Sequence, residues 1–502
     1  MRFVNALRNS TLALAGQVIT IILGFAVRLV FIQQLGQEYL GVNSVMESIL
    51  MILSMAELGV GTSVAFALYQ PIADGDEKRI ASLMAFYKMV YCVLGVTTAI
   101  IGPLLIPFMR FFTREAVEVS DINLIYLLFL LNTVLSYFFA YKRTMFSACQ
   151  KNYLNSVTED TAAVVKYILQ AAVLIRFGSY LGYLAINLVC ALCTNIIISF
   201  LCDRHYPFLK QYRKEKLCKE DRNKLKKSVV SLMYQKIGAK LVTGTDNLMI
   251  SYAKLTLMGI YSNYSIVVST VSRVVYNVLI SSIGSVGNLM VQKDDEHKYR
   301  VFQEFAFATF CFYFFIAAGF SACLERFLAL WAGEDWLLPP AVTFVVVMNF
   351  LLTGLRQPNI VVIEAAGIFN QLRMKAVGEV IVNLAVSYVF LVVFHMGIYG
   401  VLLGTTVSMV GVCIWWETWA VHKYALHRPT GEYYRDYFWQ LATAGAGCFA
   451  CYGLGTMIPV GGLWGLILAG LEAVVVFVLV ILLFHGRNKA FRALLSRFHI
   501  NV

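Results

Sequence analysis

Long apolar runs, separated by short polar segments, follow one another along almost the whole chain. About 20 consecutive apolar residues are enough for a helix to cross the hydrocarbon core of a bilayer. The first run has no small-residue cleavage site behind it, so we expect it to remain as a span and not to be removed as a signal peptide. The pattern predicts an all-α integral membrane protein with fourteen transmembrane helices, at about 11–35, 40–69, 80–111, 121–148, 157–177, 179–202, 229–253, 258–291, 301–331, 339–365, 372–396, 398–422, 437–458 and 462–484.

Composition agrees with this class. The chain of 502 residues is 59% hydrophobic and 14% charged, and its mean hydropathy is +0.71. Soluble globular proteins carry nearly twice that share of charged residues. A multi-pass membrane protein is therefore predicted from the overall balance as well as from the local pattern.

Lysine and arginine are distributed unequally between the two sides of the predicted membrane. With the amino terminus placed in the cytoplasm, 29 of the 41 lie in inside segments, five in outside segments and seven within the spans. Cytoplasmic loops of membrane proteins carry this kind of excess. We expect a protein of the cytoplasmic membrane with both termini and the basic loop 203–228 inside. Because the basic residues are spread over loop ends, the net charge of +12 does not indicate nucleic-acid binding.

An internal repeat with an offset of 217 or 218 residues relates the two halves of the chain. Each match is short, but all occur at equivalent places in the topology. The matched features are residues 39–44 with 257–262, Asp76-Glu77 with Asp294-Asp295, Asn132 with Asn349, and Ala148 with Ala365. The repeat predicts two six-helix bundles of the same orientation, related by a pseudo-two-fold axis along the membrane normal, a design found in alternating-access transporters.

The domain prediction follows from the repeat. Two pseudo-symmetric six-helix bundles and two extra carboxy-terminal helices account for all fourteen spans. We expect an N-terminal six-helix lobe at 1–210, a basic cytoplasmic connecting loop at 211–228, a C-terminal six-helix lobe at 229–428, and two additional transmembrane helices with a cytoplasmic tail at 429–502.

Cations inside the predicted spans are the features that point to function. A charge near the membrane centre costs about 2.5–3.5 kcal/mol on insertion scales, so such residues usually face a water-filled cavity or a partner. The predicted cavity cations, which would bind an anionic cargo, are Arg28, Lys88, Lys166, Lys240, Arg273 and Arg356. Two alternatives stay open, since Lys88 is near enough to the interface to snorkel and Arg356 is placed to anchor a loop.

Three carboxylates are candidates for gating or ion coupling, namely Glu47, Glu57 and Asp246. The repeat offset of 218 carries Arg28 of span one onto Asp246 of span seven. We therefore predict an ion pair between these two side chains when the outer side of the protein is closed. The alternative is that each of them pairs within its own lobe.

The sequence contains few side chains that are placed to bind a metal or a cofactor. The seven histidines lie near predicted helix ends or in loops. Two Cys-x-x-Cys pairs, Cys190/Cys193 and Cys448/Cys451, lie inside apolar helices, where cysteine packs as a small hydrophobic residue. No cofactor, no metal site and no enzyme activity are predicted.

Several segments of the first hundred residues form a recognisable set together with Arg28. They are Leu35-Gly36-Gln37-Glu38-Tyr39-Leu40-Gly41-Val42-Asn43, Ala56-Glu57-Leu58-Gly59-Val60-Gly61, Leu68-Tyr69-Gln70-Pro71 and Leu83-Met84-Ala85-Phe86-Tyr87-Lys88. The start of the second half contains Thr245-Asp246-Asn247 and Gly259-Ile260-Tyr261-Ser262-Asn263-Tyr264. These segments resemble the Wzx-type polysaccharide flippases of the multidrug/oligosaccharidyl-lipid/polysaccharide exporter superfamily.

The resemblance implies a V-shaped, two-lobed fold of fourteen helices. It implies transport of undecaprenyl-diphosphate-linked oligosaccharide from the inner to the outer leaflet, for surface polysaccharide biosynthesis. The expected partners are then the lipid-linked oligosaccharide diphosphate and membrane lipids, together with polysaccharide polymerase and glycosyltransferases of the same pathway. No nucleic acid is expected.

Two other functions are weighed against a flippase. A drug/cation antiporter of the same fold is disfavoured by a predicted cavity that is richer in cations than in mid-membrane carboxylates. A membrane glycosyltransferase, ligase or polymerase would use an acidic motif, and Asp74-Gly75-Asp76 formally has the Asp-x-Asp pattern. Such enzymes generally carry sizeable outer loops, whereas every outer loop predicted here is short.

Overall fold

The computed structural model describes residues 2–57, 59–113, 119, 121–212, 215, 217–280, 286 and 294–497. Within these ranges the regular structure is entirely helical, so the all-α prediction is confirmed. Five basic residues that contribute to the predicted orientation lie outside the described residues, namely Arg114, Arg213, Lys214, Lys216 and Lys293. The chain forms two compact units, Met1–Gly259 and Ile260–Val502. This division does not test the predicted partition into lobes, which stays a prediction.

The first unit consists of helices that run up to the start of the predicted span eight. Short 3₁₀ turns at Ser54–Glu57 and Gly102–Leu105 interrupt the second and third spans. The α-helices are α1 Arg2–Leu53, α2 Val60–Asp74, α3 Glu77–Ile101, α4 Ile106–Phe112, α5 Ile122–Ala148, α6 Tyr153–Phe177, α7 Tyr180–His205, α8 Phe208–Gln211, α9 Lys219–Ala253 and α10 Leu255–Ile280, the last of which continues into the second unit.

The second unit contains the remaining helices. Single turns of π-helix at Val389–Val393, Met409–Cys413, His422–Leu426 and Ile481–His485 extend or join the α-helices, and 3₁₀ turns lie at Glu334–Trp336 and Asn370–Leu372. The α-helices are α11 Asp295–Ala332, α12 Pro340–Ala366, α13 Arg373–Tyr388, α14 Gly397–Ser408, α15 Ile414–Val421, α16 Gly431–Met457, α17 Gly462–Val480 and α18 Lys489–Arg497.

Each of the fourteen predicted spans overlaps a helical segment among the described residues, and the end of span eight, residues 281–291 except 286, lies outside them. Nine of these segments are long and apolar enough to qualify as spans by themselves, from Gly16–Leu53 to Gly462–His485. The others are shorter, like the 15-residue α2, or carry more polar residues. The chain is thus an all-α, multi-pass membrane protein.

The junctions between spans one and two and between spans seven and eight show the repeat in three dimensions. At Gly36 the backbone leaves helical geometry with φ 79° and ψ −168°, a conformation that glycine adopts without strain. The equivalent junction, 218 residues later, is at Lys254 between α9 and α10. Both pairs of spans are therefore connected by a single non-helical residue.

Two glycines related by the same offset lie at a close helix crossing in the first unit. A Cβ atom on Gly41 would lie 2.5 Å from the carbonyl oxygen of Leu255, and one on Gly259 would collide with the carbonyl oxygen of Gln37. Because an offset of 218 exchanges these two contacts, the crossing has local two-fold symmetry. Only glycine allows the two backbones to approach this closely.

The acidic matches of the repeat are helix caps. The Asp76 carboxylate accepts a hydrogen bond of 3.0 Å from the backbone N–H of Arg79 at the start of α3. Asp294 accepts from the N–H groups of Glu296 and His297 at the start of α11. Such N-caps satisfy backbone donors that have no partner within the helix. The Asp-x-Asp pattern at 74–76 is therefore a turn, with Asp74 held by Gln70 at 2.9 Å.

Candidate functional site

A polar cavity of about 380 Å³ lies within the first unit among α5, α6 and α7. Its lining alternates between polar side chains and small alanines, which leave the space open. The polar lining residues are Glu57, Asn132, Ser136, Arg143, Glu159, Lys166, Asn187, Cys190, Thr194 and Asn195, and the alanines are Ala140, Ala162, Ala163 and Ala191.

Helical periodicity explains why these residues meet. Residues three or four apart lie on the same face of a helix, and the lining positions follow that spacing on all three helices. They are 132, 136, 140 and 143 on α5, 159, 162, 163 and 166 on α6, and 187, 190, 191, 194 and 195 on α7. Three polar faces are thus turned toward one another, away from the surrounding apolar surface.

Arg143 connects the three helices across the cavity. Its Nη1 lies 2.7 Å from Glu159 Oε1 on α6, and its Nη2 donates to Asn195 Oδ1 on α7, also at 2.7 Å. The side chains of Arg143 and Glu159 remain 35% and 42% exposed. The pair is therefore accessible to water and to a ligand that enters the cavity.

Lys166 is the cavity cation without an ion pair. Among the described residues no carboxylate lies within 4.0 Å of its ammonium group, which lies over the ring of Tyr167 with 4.8 Å between Nζ and the ring centroid. Glu47 and Cys190 lie within electrostatic range. Lys166 is half-buried, so its charge is available to an anion in the cavity.

Arg28 occupies a second polar cluster of the first unit. Glu47, Tyr180 and Tyr183 are its electrostatic neighbours. Glu47 accepts a 2.9 Å hydrogen bond from the amide of Asn43, and the hydroxyl of Tyr180 donates to the other end of that amide at 3.1 Å. Because Glu47 also lies within electrostatic range of Lys166, it links the Arg28 cluster to the cavity.

The other carboxylates predicted for gating or coupling lie in different surroundings. Glu57 lines the cavity and accepts a hydrogen bond of 2.8 Å from Tyr91. Asp246 is buried on α9, next to Asn247, which donates to Ser48 at 3.0 Å. The predicted closure contact between Arg28 and Asp246 stays a prediction.

The remaining predicted cations do not line this cavity. Lys240 on α9 and Arg273 on α10 are exposed. Lys88 lies in a separate, smaller cavity with Lys142 and Lys210. The side chain of Lys236, a further intramembrane cation, lies outside the described residues. Of the six predicted cavity cations, the structure therefore places Lys166 in the lining and Arg28 beside it.

Arg356 belongs to a closed ion network in the second unit. Its guanidinium donates in bidentate fashion to Glu417, at 2.9 and 2.6 Å. Lys375 lies 2.8 Å from both Glu379 and Glu417, and Arg356 lies 3.9 Å from Glu379. All four side chains are at most 13% exposed. Two cations and two carboxylates neutralise one another here, which favours the anchoring interpretation of Arg356.

Several functional residues escaped the sequence reasoning. Arg143 and Lys375 lie so near helix ends that they were counted with the inside segments, and Glu417 was not singled out. A helical-wheel comparison of spans four to six would have placed these residues on polar faces. Arg143 follows Ser136 by seven residues on one helix, and Lys166 follows Glu159 by seven residues on the next. Nothing in the sequence signals that Glu417 faces two cations from other helices.

The cavity offers donors for an anion and carboxamides for hydroxyl groups. Arginine binds phosphate oxygens in bidentate fashion and lysine binds them as a point charge, while asparagine both donates and accepts hydrogen bonds. No group of three metal-ligating side chains occurs in the part of the chain that the structure describes. Cys448 and Cys451 are buried, whereas Cys190 contributes to the cavity.

Comparison with solved structures identifies the fold. The chain is similar to a multidrug resistance MATE family transporter of the MOP superfamily in an inward-facing conformation, with a TM-score of 0.61 and 11% identity over 82% of this chain and 97% of that one. It is also similar to the lipid II flippase MurJ in an inward closed conformation, with a TM-score of 0.62 and 12% identity over 95% and 99% of the two chains.

A third similar structure is a MOP superfamily transporter from Pyrococcus furiosus whose binding pocket is described as reversed in polarity, with a TM-score of 0.55 and 13% identity over 85% and 96%. No family model and no curated protein sequence matches the chain. At these identities the likeness concerns the fold alone. The chain shares the fold of the MOP superfamily transporters.

Proposed function

We propose that the protein is a flippase that moves an oligosaccharide linked through a diphosphate to a prenyl lipid from the inner to the outer leaflet of the cytoplasmic membrane. The lipid is expected to be undecaprenol, as the resemblance to the Wzx-type flippases implies, and the product would serve surface polysaccharide biosynthesis. In this proposal both termini face the cytoplasm, the protein works by alternating access, and it is not an enzyme.

One observation carries the proposal, namely an ammonium group that no carboxylate of the described residues pairs, in a polar cavity between membrane helices. Lys166 is half-buried, so its charge is open to the cavity, and an anionic group of the cargo would pair with it there. Arg143 offers a second cation, and Asn132, Asn187 and Asn195 offer hydrogen-bonding groups suited to sugar hydroxyls. The volume of about 380 Å³ falls in the range of small-molecule sites.

The cargo's three parts have different needs. The diphosphate requires charge-assisted hydrogen bonds, the sugars require a wet polar surface, and the prenyl chain is stable in lipid throughout. A cavity that is lined by polar faces of α5 to α7 meets the first two needs. The proposed partners are accordingly the lipid-linked oligosaccharide diphosphate, membrane lipids, and a polymerase and glycosyltransferases that act before and after transport.

The test is reconstitution of the purified protein in liposomes that contain a fluorescent undecaprenyl-diphosphate oligosaccharide. Charge-assisted hydrogen bonds contribute about 1.5–3 kcal/mol, so Lys166→Gln should slow translocation by about tenfold or more. The matched control is Arg176→Gln, which removes an exposed cation from the same helix and should leave the rate unchanged. Equal rates in wild type and Lys166→Gln would contradict the cavity assignment.

A drug/cation antiporter remains as a second candidate because the cavity also contains the carboxylates Glu57 and Glu159. An organic cation would pair with these groups, whereas it would be repelled by Lys166. The two functions are distinguished by measuring uptake of a fluorescent organic cation in the same liposomes. Antiport predicts faster cation transport in Lys166→Gln, while the flippase proposal predicts no cation transport in either protein.

A further inference from the structure

A second cavity of the first unit, separate from the one described above, contains three lysines. It has a volume of about 210 Å³ and lies among α3, α5, α7 and the short helix α8. The lysines are Lys88, Lys142 and Lys210, and the other lining residues are Ala81, Met84, Ala85, Tyr141, Asp203 and Leu209. Nothing in the proposed transport cycle uses these residues.

The charges of this three-lysine cavity are unbalanced. Asp203 is the one carboxylate of the lining, and it is shared between Lys142 at 2.5 Å and Lys210 at 3.1 Å. Lys142 also donates to the hydroxyl of Ser199 at 2.8 Å. No carboxylate of the described residues lies within 4.0 Å of Lys88. Three cations and one anion leave the cavity with a net charge of +2.

The surrounding protein fixes the positions of two of these lysines, Lys88 and Lys142. The ring of Tyr141 lies near both Lys88 and Lys142, with 5.9 and 6.0 Å from the ammonium nitrogens to the ring centroid. Lys142 is only 13% exposed, and Lys88 is half-buried, well inside α3. A lysine that only snorkelled to the interface would extend its ammonium group into water. Asp203 joins Lys142 to Lys210, whereas Lys88 adds a charge that no carboxylate of the described residues pairs, so a further anion in the cavity would be favourable.

The position and size of the three-lysine cavity limit the kind of anion that it can bind. Lys210, whose side chain is 69% exposed, belongs to the basic loop 203–228, and Lys142 and Asp203 of the lining lie near the ends of α5 and α7. The volume of the cavity is below the range of about 300–1,000 Å³ for small-molecule sites, so it fits a headgroup but not an oligosaccharide. Ala81, Met84, Ala85 and Leu209 give it an apolar wall against which a glycerol or acyl segment would pack.

We propose that the three-lysine cavity binds a phosphate group beside the basic loop 203–228. Compact ammonium groups bind phosphate as point charges, and basic clusters at the membrane surface attract anionic lipids. The phosphate belongs either to the headgroup of an anionic lipid or to a soluble phosphate compound. The site is independent of the proposed transport cavity, since Lys88, Lys142 and Lys210 do not contribute to that lining.

The experiment uses the full-length protein in phosphatidylcholine nanodiscs. Reaction of each lysine with a water-soluble amine reagent is followed by peptide mass spectrometry. Two probes are compared, namely addition of phosphatidylglycerol to the nanodisc and addition of inorganic phosphate to the buffer. Protection of Lys88 and Lys210 by phosphatidylglycerol alone assigns the site to a lipid headgroup, and protection by inorganic phosphate as well assigns it to soluble phosphate. Protection by neither probe overturns the proposal.

Two variants and a control make the result specific. Lys88→Gln should weaken the binding that protects Lys210 by about fivefold, the contribution expected of one lysine near an anionic ligand. Ala85→Leu keeps every charge but fills the cavity, so it should abolish protection. Lys226→Gln removes an exposed cation outside the cavity and should change nothing. If Lys226→Gln weakens protection as much as Lys88→Gln, the binding is to the general basic surface and the proposal is wrong.

Discussion

Spans four to six of the first unit and spans ten to twelve of the second occupy equivalent places in the repeat. Their charged side chains, however, differ in how far they are paired and how far they are exposed to water. Helix α5, Ile122–Ala148, and helix α12, Pro340–Ala366, have the same length, and their ends are related by the offset of 218. In the first unit the three spans surround an open polar cavity with a lysine that no carboxylate of the described residues pairs. In the second unit the equivalent spans enclose a buried network in which every cation has a carboxylate.

Water access accounts for the difference. The Arg143–Glu159 pair is 35% and 42% exposed, whereas Arg356 and Glu417 are 10% and 4% exposed. A charge that water reaches tolerates an absent partner, but a desolvated charge does not. The comparison teaches that an intramembrane cation by itself does not mark a binding site. The cations suited to cargo binding are those that remain hydrated and incompletely paired.

The strongest test of the comparison is to break the closed network. Glu417→Gln leaves Arg356 and Lys375 with Glu379 as their sole carboxylate, so it should destabilise the protein by about 3–5 kcal/mol. The measurement is the free energy of unfolding in detergent micelles, followed by circular dichroism. The control is the double variant Arg356→Met with Glu417→Leu, which removes both charges and keeps the Lys375–Glu379 pair. A single variant as stable as wild type would show that the network is not desolvated.

A smaller effect is expected at the asparagine pair that the repeat relates. Asn349 donates to the carbonyl of Leu402 at 3.0 Å and accepts from Thr406 at 2.7 Å, so it ties span ten to span twelve. Asn349→Ala should cost about 1–3 kcal/mol of unfolding free energy, since it removes two part-buried hydrogen bonds that contribute about 0.5–1.5 kcal/mol each. Asn132→Ala, at the equivalent position in the open cavity, should change stability by less than about 0.5 kcal/mol. Equal losses of unfolding free energy in the two variants would contradict the predicted difference between the two positions.

The smallest effect is expected where the open cavity has its own ion pair. Glu159→Gln removes the carboxylate from Arg143 but leaves the hydrogen bond between Arg143 and Asn195. A partly exposed ion pair contributes about 0.2–1 kcal/mol. The free energy of unfolding should therefore change by no more than this amount, and lipid translocation should persist. The same unfolding and liposome measurements apply. A loss of stability as large as that of Glu417→Gln would mean that the cavity is closed to water.

The sequence by itself determined the class of fold. Fourteen apolar runs predicted the helices, and the offset of 217 or 218, which includes the acidic match at Asp76 and Asp294, predicted the repeat. These features are local or periodic, because a membrane helix satisfies its own backbone hydrogen bonds and must be apolar on its outer surface. The same rule picked out Arg28 and Lys166 as residues that require a polar environment.

Only the tertiary structure decided which charges meet. Arg356 and Lys166 look alike in the sequence, since each is a cation within a span, but Glu417 comes from another helix to pair with one and no described carboxylate reaches the other. For a similar reason, Arg143 lines the polar cavity although it lies near a helix end, whereas Lys88 does not line it although it lies well within a helix. Pairing depends on helix rotation and crossing, which are set by contacts between residues far apart in the chain, whereas hydrophobicity fixes only that each helix spans the membrane.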